Sequence, residues 1–210
     1  MDFKIDYAVL LLSRDKKREE HVKEMIKAHP YFHIREAIDA LNDWKAVQRI
    51  FIDNGIQVTA RFDPRPGKYG RWASFIQWIK WIKDKASAAG FQYAVLAEDD
   101  VQLVPDFKSR LNKYLRQHPD RWYFRCGPYN SCLVVRCDKA EHVFNRILAT
   151  GVDMPDDHWA WKSGKVLQHR GPNFAKQLRR FPSNINRREF IQGPRDPRMW
   201  AIENKKKNKT

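Results

Sequence analysis

The sequence predicts an α/β domain built on a mostly parallel sheet, and three observations predict it. Nearly continuous apolar runs at Tyr7–Leu12 and Tyr93–Ala97 suit strands buried on both faces. Around them stand segments whose apolar residues recur at helical spacing. The 210 residues, 42% of them hydrophobic, are enough for one core, and 13% aromatics with nine glycines exclude disordered and fibrous classes.

Each element has its own signal. Tyr7–Leu12 opens as a buried strand, and Lys16–Ala28 follows as a polar helix closed by Pro30. His33–Ile38 reads as a second strand. Asn42–Asp53 places Trp44, Val47, Ile50 and Phe51 on one helical face, with Gly55 as the stop. Ile56–Phe62 alternates as a strand, and Arg65-Pro66-Gly67 reads as a loop. The longest helical pattern, Arg71–Ala89, aligns Trp72, Phe75, Ile76, Ile79 and Ile82, and Gly90 ends it. After the strand Tyr93–Ala97 come a helix at Asp106–Gln117, strand-like runs at Trp122–Cys126 and Ser131–Arg136, and a helix at Asp138–Ala149. Beyond Pro155 the pattern loosens, and neither an internal repeat nor a glycine-rich phosphate loop is present.

Other signals bound the class. Cys126, Cys132 and Cys137 form no CxxC pair, which predicts buried free thiols rather than a disulfide framework or a zinc site. No apolar run approaches the ~18 residues of a membrane span, so no transmembrane segment is expected. The start, MDFKIDYAVLLLS, lacks the basic residues and cleavage site of a signal peptide. The expectation is a cytoplasmic protein, in the host cell if the source is viral.

Charge is the most informative bulk property. The net charge is +15, and Lys162–Thr210 holds 14 basic against 3 acidic residues, a local +11. Such an excess suits a polyanion: nucleic acid, an anionic glycan or a lipid surface. Solvation explains Lys205–Lys209 equally well, but Arg179, Arg180, Arg187 and Arg188 are interleaved with Phe181 and Phe190 as in a binding surface.

The strand at Tyr93–Ala97 runs directly into Glu98-Asp99-Asp100. Ligands of open α/β sheets bind beyond the carboxyl ends of strands. Three adjacent carboxylates repel one another unless they share a cation, and hard oxygen ligands suit Mg²⁺ or Mn²⁺. An acidic surface turn is the alternative.

The stretch YAVLAEDDVQLVPDF resembles the strand, acidic triplet and hydrophobic-Pro-Asp-Phe segment of glycosyltransferase family 25, the lipopolysaccharide and collagen galactosyltransferase type. LLSRDKKR, AIDA (37–40), GKYGRWASF (67–75), SCLVVRCDKAEHVF, MPDDHWAWKSGKV and LQHRGPNFAKQ resemble further segments of that family, in the same order, between about Tyr7 and Ser183. The sequence departs from the family in GKYGRWASF, where Lys68, Arg71 and Phe75 replace an acid, a Cys and a His, and at Leu11, where the family has Asn. A viral or phage member of that type is one expectation for the chain. It implies a single GT-A (Rossmann-like) domain over 1–183 with a basic, irregular C-terminal segment, 184–210.

It also implies a nucleotide-sugar donor, UDP-sugar first, a divalent cation (Mn²⁺ or Mg²⁺), and inversion at the anomeric carbon. Carried over, Glu98 faces the ribose or base, Asp100 holds the ion with the donor diphosphate, and Asp99 assists. His169 is a candidate second metal ligand, with a structural role as the alternative. Asp157, with Asp156 beside it, matches the segment that supplies the catalytic base; Asp156 alternatively caps a short helix at Asp157–Trp161. Arg14 and Arg18 contact nucleotide or phosphate, or form surface ion pairs. Gly70 and Ser74 match the family's donor segment, and Lys68 and Arg71 substitute phosphate contacts for lost ones. Trp159 and Trp161 stack on a sugar or base, or pack in the core.

Two acceptors fit the basic segment. DNA carrying a hydroxymethylated base, as in phage DNA modification, is favoured, and lipopolysaccharide or another anionic glycan is the alternative. A non-catalytic nucleic-acid-binding module explains the basic segment too, but not the ordered segments.

Overall fold

The computed structural model describes residues 2–58, 66–127, 131–152, 159 and 171–178. The elements are β1 (Ile5–Leu11), α1 (Lys16–Ala28), β2 (His33–Glu36), α2 (Trp44–Asp53), α3 (Pro66–Trp81), β3 (Tyr93–Glu98), β4 (Val101–Leu103), α4 (Phe107–Gln117), β5 (Tyr123–Arg125), β6 (Cys132–Arg136), α5 (Ala140–Thr150) and β7 (Ala175–Gln177). A five-stranded sheet runs in the order β2-β1-β3-β6-β5, and β4 and β7 form a separate pair. β1 is parallel to both β2 and β3, while β6 is antiparallel to β3 and β5. Four of the five strands therefore point one way, giving the expected α/β class with a mostly parallel sheet.

Both faces of the sheet are covered, and the two-residue period of the strands explains how. Ile5, Tyr7, Val9 and Leu11 of β1 join Tyr93, Val95 and Ala97 of β3 in one core with α1 and α4. Ala8 and Leu10 join Ala94 and Leu96 in the other, against α2, α3 and α5. This second core holds Trp72, Trp78 and Trp159. The three cysteines are free and buried. No described helix is long and apolar enough to cross a membrane.

Most boundaries follow the sequence signals, and α1 matches its expected span. Pro66 and Gly67 belong to the first turn of α3 rather than to a loop. Proline fits there because the N–H it lacks has no helical partner in the first turn. The long helix changes at Trp81 into a π-helical stretch, Ile82–Ala86, before Gly90. The strand expected at Ile56–Phe62 is represented by one parallel bridge, Val58 to Val152; residues 59–65 lie outside the described residues. The bridge is held by Gly151, whose φ of +66° lets its backbone pass against Gln57, whose carbonyl accepts from the Val152 N–H at 2.7 Å.

Parallel alignment places the carboxyl ends of β1, β2 and β3 at one edge. Leu10 is level with Glu98 and Leu11 with Glu36. The segments leaving these strands, from Leu12, Ala37 and Asp99, form the walls of a cleft.

Candidate active site

The cleft has a volume of about 110 Å³ and opens at that edge. Its charged lining consists of Asp39, Glu98, Asp99 and Asp100 with Arg14, Arg18 and Arg71. Among the described residues that line it, four acids stand against three bases.

Arg18 is the centre of the arrangement. Asp15 caps α1, accepting from the Arg18 N–H at 3.3 Å, so the first turn carries Arg18 under the strand ends. Its buried guanidinium donates through Nη1 to Asp99 Oδ1, while Nη2 stands 3.5 Å from Asp100 Oδ2 and Nε 3.4 Å from Asp15 Oδ2. Burial opposes the charge on Arg18, but Asp99 and Asp100 outweigh it and raise the guanidinium's proton affinity further. The second Asp99 oxygen accepts from the Leu12 N–H at 3.1 Å. Burial raises the Asp99 carboxyl above its ordinary pKa, against the pull of Arg18 and the Leu12 N–H.

Glu98, at the tip of β3, meets Arg71 of α3 at 2.8 Å. Arg14 pairs with Asp39 at 3.1 Å, on the wall leaving β2. The cations shared by the acidic triplet are thus guanidiniums of this chain.

Asp100 differs from its neighbours. Its Oδ2 accepts from Gln177 Nε2 at 3.3 Å, and its backbone carbonyl accepts from the Leu178 N–H at 2.7 Å. Its Oδ1 is buried without a hydrogen-bond partner. A buried carboxylate oxygen left this way is costly unless a ligand satisfies it. Among the described residues, no three His, Cys, Asp or Glu side chains gather as a metal cage. The donor set suits an ion held by one carboxylate together with diphosphate oxygens and water, a mode that Mg²⁺ favours.

Gly70 and Ser74 line the cleft but work as wall supports. Ser74 Oγ accepts from the Ile38 N–H at 2.8 Å and donates to the Gly70 carbonyl at 2.7 Å. A Cβ on Gly70 would lie 2.5 Å from the Ile38 carbonyl oxygen, so only glycine lets α3 approach the 37–41 segment this closely. Lys68, in the same helix, is not part of the cleft lining. Trp159 packs in the core, with its ring 5.7 Å from that of Trp72 and its Nε1 donating to Thr150 Oγ1 at 2.8 Å. It is 2% exposed, which leaves no face for an acceptor. Asp156, Asp157, Trp161, His169, Arg179, Arg180, Arg187 and Arg188 lie outside the described residues.

Two cleft residues escaped the sequence reading. Asp39 stands in the AIDA segment and Gln177 ends the FAKQ run. Both lie in segments that resemble the family, yet neither side chain has a local pattern marking it as functional.

No family model matches the chain, and no curated protein matches it. Among solved structures, the crystal structure of a glycosyltransferase involved in the glycosylation of the major capsid of PBCV-1 is similar, with 16% identity and a TM-score of 0.34. The match covers 68% of this chain and 64% of that one, so it spans less than two thirds of that protein. A TM-score this low gives the likeness no weight in the argument on function.

Proposed function

We propose that the protein is a metal-assisted glycosyltransferase whose cleft at the ends of β1 and β3 receives the diphosphate of a nucleotide-sugar. The observation that carries this reading is the unpartnered Oδ1 of Asp100, in a cleft whose described lining holds four acids against three bases. A cavity of about 110 Å³ accommodates a diphosphate rather than a whole nucleotide-sugar, so nucleoside and sugar extend from it on either side.

Each chain group then has a task. Asp100 is the ligand for Mn²⁺ or Mg²⁺, and Arg18 and Gln177 hold its other oxygen. Glu98 turns to the ribose side, with Arg71 shared between it and donor phosphate. Arg14 faces the diphosphate from the β2 wall. When bound, the ion supplies Lewis-acid neutralisation of the departing nucleoside diphosphate. Asp157, or Asp156 beside it, takes the proton from the acceptor hydroxyl as its oxygen bonds to the anomeric carbon. The bond from that carbon to the diphosphate oxygen breaks in the same step, and the configuration inverts. His169 is a further candidate ligand.

The acceptor on this reading is a polyanion, with a hydroxymethylated DNA base favoured over lipopolysaccharide or another anionic glycan. The net +11 of Lys162–Thr210 supports it, with Trp161, Arg179, Arg180, Arg187 and Arg188 as contacts. The donor half is tested by following nucleoside diphosphate release from a panel of nucleotide-sugars with Mn²⁺ or Mg²⁺. Release from at least one donor, abolished by EDTA and reduced at least ~100-fold in Asp100→Asn, is expected. Cleavage of no donor, or an Asp100→Asn protein as active as the native one, overturns the reading.

A further inference from the structure

The two carboxylate oxygens of Asp100 have different surroundings, and β7 is the element that makes them differ. This strand is fixed at three places. The N–H groups of Phe174 and Ala175 both reach the Cys126 carbonyl, at 2.8 and 2.7 Å. Ala175, Lys176 and Gln177 pair antiparallel with Leu103, Gln102 and Val101 of β4. The Leu178 N–H then donates to the Asp100 backbone carbonyl at 2.7 Å. Gln177 is thereby carried to the cleft lining, within reach of the Asp100 side chain.

The chemistry of that contact limits what Asp100 can do. An ionised carboxylate only accepts, so the Gln177 amide faces Asp100 Oδ2 with its Nε2, at 3.3 Å. Arg18 Nη2 stands 3.5 Å from the same oxygen. Both groups turn hydrogens toward Oδ2, which leaves that oxygen poorly placed for a cation. Oδ1 has no hydrogen-bond partner, and Asp100 as a whole is only 6% exposed. An ion in the cleft therefore meets Asp100 through Oδ1 alone. Mg²⁺ suits such a ligand, because it demands a near-octahedral shell and keeps several waters, and Mn²⁺ accepts the same oxygen octahedron. The larger Ca²⁺ takes more oxygens and gains from a carboxylate that binds through both.

We propose that Gln177 is a positioning residue that keeps Asp100 a one-oxygen ligand and so sets the preference of the site for Mn²⁺ or Mg²⁺ over Ca²⁺. The proposal rests on the reading of Asp100 as the metal ligand. It adds that the choice of ion is made by a side chain that does not touch the ion. Without the amide hydrogens Oδ2 is freed, and Asp100 can turn to bind through both oxygens. Partners that orient a metal ligand in this way typically change metal affinity by ~10–100-fold when they are removed.

The test reads ion binding rather than turnover. The full-length protein is titrated with Mn²⁺, with and without UDP, and bound Mn²⁺ is followed by the enhancement of water-proton relaxation. Ca²⁺ is then added to displace it. Gln177→Leu is expected to weaken Mn²⁺ binding roughly ten-fold while Ca²⁺ binding holds or tightens, so the ratio of the two affinities falls by at least that factor. Gln177→Glu keeps the length of the side chain but places an acceptor where the donor was, and it should move the ratio the same way. It keeps the test readable if Gln177→Leu does not fold. Lys176→Gln, at an exposed position of β7, should leave the ratio at its native value. A purely structural defect weakens both ions alike. An unchanged ratio in the Gln177 variants therefore overturns the positioning role and leaves the transferase reading standing. A changed ratio in a protein that cleaves no nucleotide-sugar does the opposite. A native protein that binds neither ion overturns both.

Discussion

At the scale of single residues, the account turns on how Arg18 is used. One guanidinium serves two buried carboxylates and the cap of its own helix. Removing one member of a buried charge cluster leaves the others uncompensated, typically at a cost of about 3–5 kcal/mol. Arg18→Ala should therefore lower unfolding stability by about that amount in denaturant titration, and Asp99→Asn in the same background should recover part of the loss. If Arg18→Ala unfolds at the native midpoint, the cluster is not the buried network described. Asp99 and Asp100 were legible in the sequence because they stand at the end of an apolar run, and Arg18 through the family resemblance, whereas Asp15 was not singled out. Gln177 was not: it reaches Asp100 across 77 residues of chain, and a lone glutamine in a basic stretch carries no pattern of its own.

At the scale of elements, the cleft is shaped by how closely α3 meets the segment after β2. Gly70 lies under Ile38, and Ser74 ties the two backbones together. Gly70→Ala gains about 1 kcal/mol of helix propensity yet forces a backbone shift that costs about 1–3 kcal/mol. The expected result is a lower melting temperature together with weaker binding of UDP, the product nucleotide on the proposed reading, because the wall bearing Asp39 moves with Ile38. A stabilised variant with native UDP affinity would show that the close approach has no part in the site. The long elements announced themselves locally: β1 and β3 as apolar runs, α2 and α3 through their apolar stripes, and α1 as a polar segment closed by Pro30. β4 and β7 did not, since three residues are too few to show an alternation, and their pairing depends on partners far apart in sequence. The π-helical stretch after Trp81 likewise follows a sequence that reads as continuous helix.

At the scale of the molecule, chemistry and charge are divided between two places. The described lining of the cleft holds four acids against three bases, and the positive excess of the sequence lies in the net +11 of Lys162–Thr210. This division suits an enzyme that holds a cation at the diphosphate and a polyanion at the acceptor side. The α/β class was readable from the strand and helix signals alone, whereas the close backbone approaches of Gly127 to Ala175 and of Gly171 to Arg125 join distant segments and no local pattern reveals them. The central claim is sugar transfer, and the most direct measurement is the mass of the acceptor after incubation with Mn²⁺ and a set of nucleotide-sugars. Acceptors would be plain DNA, hydroxymethylcytosine DNA, hydroxymethyluracil DNA and a lipopolysaccharide core. The account predicts a gain of one sugar on a hydroxymethylated DNA, absent with EDTA and in Asp100→Asn. Transfer to no acceptor from any donor would contradict it.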